Sequence, residues 1–133
     1  MLKYIEKHKN LLVYYPLIIY WAVLLFLTSL PGADLPDLKV SDKIEHVLAF
    51  WGLAILLKLA LALQNKYLTL KKHSSFFTLL IIGVYAALDE FHQLYIPGRS
   101  CDILDWTADF SGALIAVLII SFMIKYSASK LIE

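Results

Sequence analysis

The stretch Phe76–Tyr95, FFTLLIIGVYAALDEFHQLY, decides how the chain is read. A helix needs about 20 residues to cross a hydrocarbon core of about 30 Å. The uncharged part of this stretch stops at Leu88, so a helix that crosses must carry Asp89 and Glu90 inside the membrane. The same test then extends along the chain in both directions. Leu11 to Leu30 contains no charge and crosses unaided, and Ile44 to Leu63 crosses with Lys58 near its far end, where a long stem can snorkel to the interface. Phe110 to Ile124 is too short alone, so the fourth span begins near Ile103 and encloses Asp105 and Asp109. The expectation is an all-α, polytopic membrane protein. Its four transmembrane helices cover residues 11–30, 44–63, 76–95 and 103–124 and gather in a compact bundle, a single domain over residues 1–133.

Composition excludes several alternatives. The chain has 133 residues, 60% of them hydrophobic, with a formal net charge of +1. Its basic residues are scattered through short flanks, so no cationic stripe follows a phosphate backbone and nucleic acid is not an expected partner. Cys101 is the single cysteine and can form neither an intramolecular disulfide nor a thiolate metal site. Lys3, Lys7 and Lys9 precede the first apolar stretch in the manner of a secretory signal. That stretch exceeds the roughly 7–15 residues of a cleaved apolar region, and we read it as a retained span.

Orientation follows from lysine. Lys3, Lys7, Lys9, Lys58, Lys66, Lys71, Lys72, Lys125 and Lys130 fall on one side of the four-span arrangement, while Lys39, Lys43 and Arg99 fall on the other. The positive-inside rule places both termini and the second loop in the cytoplasm. Most acids then lie outside: Asp34, Asp37, Asp42, Glu45, Asp89, Glu90, Asp102, Asp105 and Asp109, leaving Glu6 and Glu133 inside. At about 1.5 Å of rise per residue, Asp89 and Asp109 lie about 9 Å below the outer end of their helices. His46 enters the same level from the second helix.

Helical spacing sorts these residues by face, because positions three and four apart stack. Asp102, Asp105, Asp109, Gly112 and Ala116 form one stripe; Tyr85, Asp89, His92 and Gln93 a second; Asp42, His46, Ala49 and Leu53 a third. A carboxylate at the bilayer centre costs about 2.5–3.5 kcal/mol, less near the interface, so these acids must face one another, water or a ligand. Small residues on the fourth helix allow close approach of its neighbours. Simpler roles compete for some positions. Asp42 with Glu45 has the spacing of a capping box, and Asp102 can cap the fourth helix. For Asp89 and Asp109 the simpler partners are Arg99 or His46, and Arg99 is a charge partner or an anion binder. Trp21, Trp51 and Trp106 read as interfacial or packing residues.

The ordered string Asp42-Lys43-Ile44-Glu45-His46, Asp89-Glu90-Phe91-His92-Gln93 and Pro97-Gly98-Arg99-Ser100, with Asp102, Asp105 and Gly112, resembles the VanZ-like family. The resemblance takes in the helix-one exit Thr28-Ser29-Leu30-Pro31-Gly32 and covers nearly the whole chain. It implies a small bacterial inner-membrane protein of a family named after a protein associated with resistance to the glycopeptide teicoplanin. It implies no settled reaction. Carried over position by position, its motif residues are Asp42, Lys43, His46, Asp89, Glu90, Gln93, Arg99, Asp105 and Gly112. Asp109 stands where relatives carry Asn or Asp.

These readings combine into one expectation. A polar pocket at the outer leaflet binds or modifies a lipid head group or a lipid-linked envelope precursor. His46, Asp89, Glu90 and Asp105 are the candidate catalytic groups, and Asp42, Lys43, Gln93, Arg99 and Asp109 the candidate binding groups. If proton transfer occurs, His46 or Asp89 serves as base or acid. No cofactor is expected. A divalent metal held by His46, Asp89, Glu90 and His92 is a weaker variant that lacks zinc-protease spacing. Proton-coupled transport, which calls for an oligomer, and a non-catalytic binding scaffold are the competing classes.

Overall fold

A computed structural model describes residues 2–34 and 41–129; Asp37, Lys39, Lys130 and Glu133 lie outside the described residues. Among the described residues every regular element is helical. In chain order these are α1 (Leu2–Lys7), a π-helical turn (Asn10–Tyr14), α2 (Tyr15–Thr28), a 3-10 turn (Gly32–Asp34), α3 (Asp42–Leu63), α4 (Leu68–Lys72), α5 (Ser74–Gln93) and α6 (Ile103–Ser129). Four segments are long and apolar enough to cross a membrane: Asn10–Thr28, Asp42–Leu63, Ser74–Gln93 and Ile103–Ser127. The four expected spans are present with shifted ends. The wide turn of the first span directly precedes Pro16, which occupies the first turn of α2. Proline has no N–H to donate to the helix ladder, and its ring crowds the carbonyl four residues back.

Helices α3, α5 and α6 form the body of the bundle, with α2 laid mainly against α3. Both α3 and α6 begin at the acidic end, so they run parallel, and α5 runs antiparallel to both. Their shared interior is apolar: Phe50, Leu53, Ile82, Ala86, Ala113 and Ala116 are buried. Tyr20 donates its hydroxyl to Ala49 O at 2.9 Å, and the Trp21 and Tyr85 rings meet edge to face at 5.1 Å, joining α2 to the body.

The closest approach is between α3 and α6 at Gly112. A Cβ placed there would stand 2.2 Å from Val47 O and 3.1 Å from Trp51 N, so the contact is backbone against backbone. This is the use of small residues expected for membrane helices, where close packing replaces the hydrophobic drive. Between the acidic ends, Gly32 N–H donates to Pro97 O at 3.0 Å, tying the first interhelical loop to the third. Gly98 has φ +74°, the left-handed conformation that the Pro97-Gly98 turn needs and that side chains disfavour.

Two local expectations are corrected. Lys58 does not snorkel: it is buried at 4% exposure, and its Nζ donates to Ser74 Oγ and Ser75 Oγ, both at 2.8 Å. The break between α4 and α5 at His73 brings this serine pair beside the ammonium, a nearer partner than water. The capping box of α3 does not form either. Ser41 is the N-cap residue, Asp42 is the first helical residue, and no side chain caps this end.

The Gly112 contact yields a direct test. Gly112→Ala is expected to destabilise the protein by about 1–3 kcal/mol, the usual range for overpacking a tight contact. The control is Gly83→Ala, whose Cβ would meet only the Phe110 ring at 3.4 Å and gains helix propensity. Unfolding in mixed micelles reads both; equal stability of the two variants would contradict the backbone contact.

Candidate functional site

At the acidic end, three polar groupings form where the helices start or finish. The first joins α3 to α6. Lys43 Nζ donates to Asp102 Oδ2 at 2.9 Å and to Asp105 Oδ1, and Asp42 Oδ2 lies 3.8 Å away. Asp102 also accepts the Leu104 N–H at 2.8 Å, the N-cap role that its position before α6 predicts. The Leu104 N–H and the Lys43 ammonium hold the Asp102 carboxyl below the usual carboxylate range.

The second grouping lies one turn deeper. His46 Nδ1 and Asp109 Oδ1 share a 2.9 Å hydrogen bond, while His46 Nε2 faces Asp42 Oδ1 at 3.8 Å. Asp109 is 0% exposed and Glu90 2%. His46, Glu90 and Asp109 each bring one donor atom to within 4.8 Å of the others. Glu90 Oε2 accepts the Asp102 N–H at 2.7 Å, which links this grouping to the first. Glu90 Oε1 and Asp109 Oδ2 are buried without a hydrogen-bond partner. Buried polar atoms are almost always satisfied, so these two open carboxylate oxygens, one helix apart at the same level, call for an explanation, as does the buried Tyr85 hydroxyl.

The third grouping takes Asp89 toward α2. Its Oδ1 accepts the Thr28 hydroxyl at 2.8 Å and its Oδ2 accepts Gln93 Nε2 at 3.1 Å. Asp89 and Gln93, one turn apart on α5, therefore clamp the exit of the first span. Thr28 was not singled out as a site residue, although it belongs to the motif that ends the first span.

Arg99 is not the cation that meets these acids. Among the described residues it makes no salt bridge, and its Nε is buried without a partner, as is His92 Nδ1. The reason is register. Lys43 stands at the start of α3, level with the start of α6, and reaches Asp102 and Asp105 first, whereas Arg99 follows a turn pinned to the first loop.

An apolar groove of about 660 Å³ runs beside this cluster, walled by Phe76, Leu80, Gly83, Val84, Leu88 and Phe110 among others. A second hollow of about 230 Å³ shares Ala87, Phe91 and Trp106 with the groove and adds Glu90, Cys101 and Asp102. Trp106 stacks on Phe110 at 5.4 Å and donates its Nε1–H to Gly83 O at 3.0 Å, which sets the groove wall. The sequence marked Trp106 only as a packing or interfacial residue, and this bridge between α5 and α6 gives it a place beside the site.

The Asp89 clamp can be tested by Thr28→Val. Loss of the buried hydroxyl is expected to destabilise the protein by about 1 kcal/mol, near the ~0.6 kcal/mol average for interhelical bonds in membranes and raised by the acceptor's charge. Ser29→Ala, which removes an exposed hydroxyl bonded within its own helix, serves as the control and is expected to change little. Thermal unfolding in detergent distinguishes them, and a neutral Thr28→Val would remove Asp89 from a supporting role.

Two findings from known proteins complete the description of the site. Searches of curated proteins and of solved structures return no significant match. The sequence model of the VanZ/LLP1 family matches residues 3–124, a span that takes in the first three membrane helices, most of the fourth and every residue of the acidic cluster, and the chain belongs to that family.

Proposed function

We propose that this VanZ-like protein sits in a bacterial inner membrane and binds, for modification, a lipid or lipid-linked envelope precursor at the extracytoplasmic leaflet. The observation that carries the reading is continuity: the apolar groove and the second hollow share Ala87, Phe91 and Trp106, and the hollow counts Glu90 and Asp102 among its lining residues. An acyl chain along α5 and α6 delivers its head group to the buried acids. Such a site, mostly apolar with a few convergent polar groups, has the general form of a ligand pocket. The His46–Asp109 pair, one turn deeper, is the group placed to move a proton.

The interior favours binding over conduction. Between the acidic end and the Lys58 serine pair lie Phe50, Leu53, Ile82, Ala86, Ala113 and Ala116, all buried and apolar. Of the polar groups among them, Thr78 bonds back to Ser74 O and the buried Tyr85 hydroxyl has no hydrogen-bond partner, so the hydrogen bonds of the described residues form no continuous chain, and a proton relay needs one.

Filling the shared wall tests the lipid reading. Ala87→Trp is expected to reduce co-purifying lipid about tenfold, equivalent to ~1.4 kcal/mol of affinity, measured by native mass spectrometry of gently extracted protein. In the host, the same variant is expected to match a deletion strain in teicoplanin susceptibility. Undiminished lipid in a folded Ala87→Trp protein contradicts the groove, and unchanged susceptibility on deletion removes the link to glycopeptides.

Orientation has its own reporter. Cys101 is exposed beside the acidic end. A membrane-impermeant maleimide is expected to label it in intact spheroplasts, and labelling only after permeabilisation would reverse the assigned leaflet.

A further inference from the structure

We infer that His46, Glu90 and Asp109 form a binding site for one divalent first-row cation, of the class of Zn²⁺ or Mn²⁺. Three independent observations converge on it. The donor atoms come from three different helices, α3, α5 and α6, and gather within 4.8 Å of one another. Two of the three residues are almost wholly buried, and each presents an oxygen with no hydrogen-bond partner, Glu90 Oε1 and Asp109 Oδ2. No lysine or arginine among the described residues pairs with Glu90 or Asp109: Lys43 is held by Asp102 and Asp105, and Arg99 makes no salt bridge.

The geometry suits a small ion. Ligand atoms about 2.1 Å from a common metal lie roughly 3.0–3.4 Å apart, depending on octahedral or tetrahedral arrangement. His46 Nδ1 and Asp109 Oδ1 are 2.9 Å apart and share a hydrogen bond, so an ion held by these two atoms takes the place of the proton between them. Bringing all three atoms to those separations from within 4.8 Å requires side-chain adjustments of no more than about 1–2 Å. One imidazole and two carboxylates make a mixed nitrogen and oxygen set, the chemistry of Zn²⁺, Mn²⁺ and Fe²⁺ sites rather than of thiolate sites. A cation also answers the electrostatic problem, since two carboxylates in a membrane interior need positive charge nearby. The neighbouring trio Asp42, His46 and Asp105 is the weaker choice: Asp42 is exposed and Asp105 already accepts from Lys43. The site differs from the sequence-based set, because Asp89 has donors on both oxygens and turns to α2.

Ion binding stands apart from lipid binding in the groove, but His46 and Asp109 held on an ion no longer share a proton, so at that pair the ion replaces the proton-transfer role. Glu90 also lines the hollow at the end of the groove, so a bound ion would face an anionic head group, and only that consequence rests on the lipid proposal.

The experiment uses the full chain in detergent, stripped with chelator, with no lipid added. Zn²⁺ and Mn²⁺ are titrated separately by calorimetry, with metal analysis after desalting. The expected result is one ion per chain for at least one of the two metals. Its affinity should fall in Glu90→Gln and Asp109→Asn by more than the ~10–100-fold that losing a supporting residue costs. Should Asp109→Asn fail to fold, Glu90→Gln and His46→Gln, compared at equal monodispersity, decide the question. No stoichiometric ion in the wild type at micromolar free metal overturns the assignment. So does undiminished affinity in a folded Glu90→Gln protein, or loss in Asp42→Asn with retention in Glu90→Gln, which places the ion in the neighbouring trio. A lipid-free protein that binds the ion while Ala87→Trp retains its lipid would leave the metal site standing and the groove reading overturned.

Discussion

The contact between Gly112 and the α3 backbone is the constraint on which the rest depends. Helices α3 and α6 run parallel, and a side chain at this position would drive them apart. Their close approach fixes their register, and register decides which polar groups meet. Lys43 lands on Asp102 and Asp105, and one turn deeper His46 lands on Asp109. Because membrane helices associate through packing and polar bonds rather than water exclusion, the contact and the ion pairs support each other.

Against that pair, α5 completes the site from the opposite direction. Its last turns present Asp89 and Gln93 on one face and Glu90 on the next. Asp89 turns to α2 and secures the exit of the first span, with Gln93 donating to its second oxygen, while Glu90 turns to the start of α6. One helix end thus serves both a supporting and a candidate ligand-binding role, divided by which face each residue occupies. Acids near a membrane interior are costly unless paired. Here most are paired, and the two left with an open oxygen, Glu90 and Asp109, lie together beside His46. The opposite end follows the same rule with a different partner set, Lys58 held by serine hydroxyls and Lys9 donating to the last carbonyl of α3 at 3.1 Å. That second bond satisfies an orphan carbonyl and places positive charge at a helix C-terminus.

Much of this was legible from residue order. Span length alone forced Asp89, Glu90, Asp105 and Asp109 into the helices, and spacing put Asp109, Gly112 and Ala116 on one face. The hydrogen bond between His46 and Asp109 was among the partners foreseen. Three features were not. Arg99 reads in the sequence as a charge partner of the acids or an anion binder because it follows a turn beside them, but the lysine that bonds Asp102 and Asp105 is Lys43. Lys58 was expected to reach solvent because its stem is long enough, yet the serines that open α5 are closer. Thr28 carried no signal as a partner of Asp89, since a hydroxyl near a helix end is ordinary until a buried carboxylate is found opposite it.

The sequence by itself determined the number of membrane helices, the residues each encloses and the end at which charge collects. All of these follow from the length of a crossing and the helical repeat, which are properties of one segment at a time. The tertiary structure decided which acid faces which base, which oxygens are left open, and that an apolar groove adjoins a hollow lined in part by Glu90 and Asp102. Those outcomes depend on the relative rotation and register of separate helices. They are set by backbone contact at Gly112 and by bonds between residues about 60 positions apart, for which no local pattern exists.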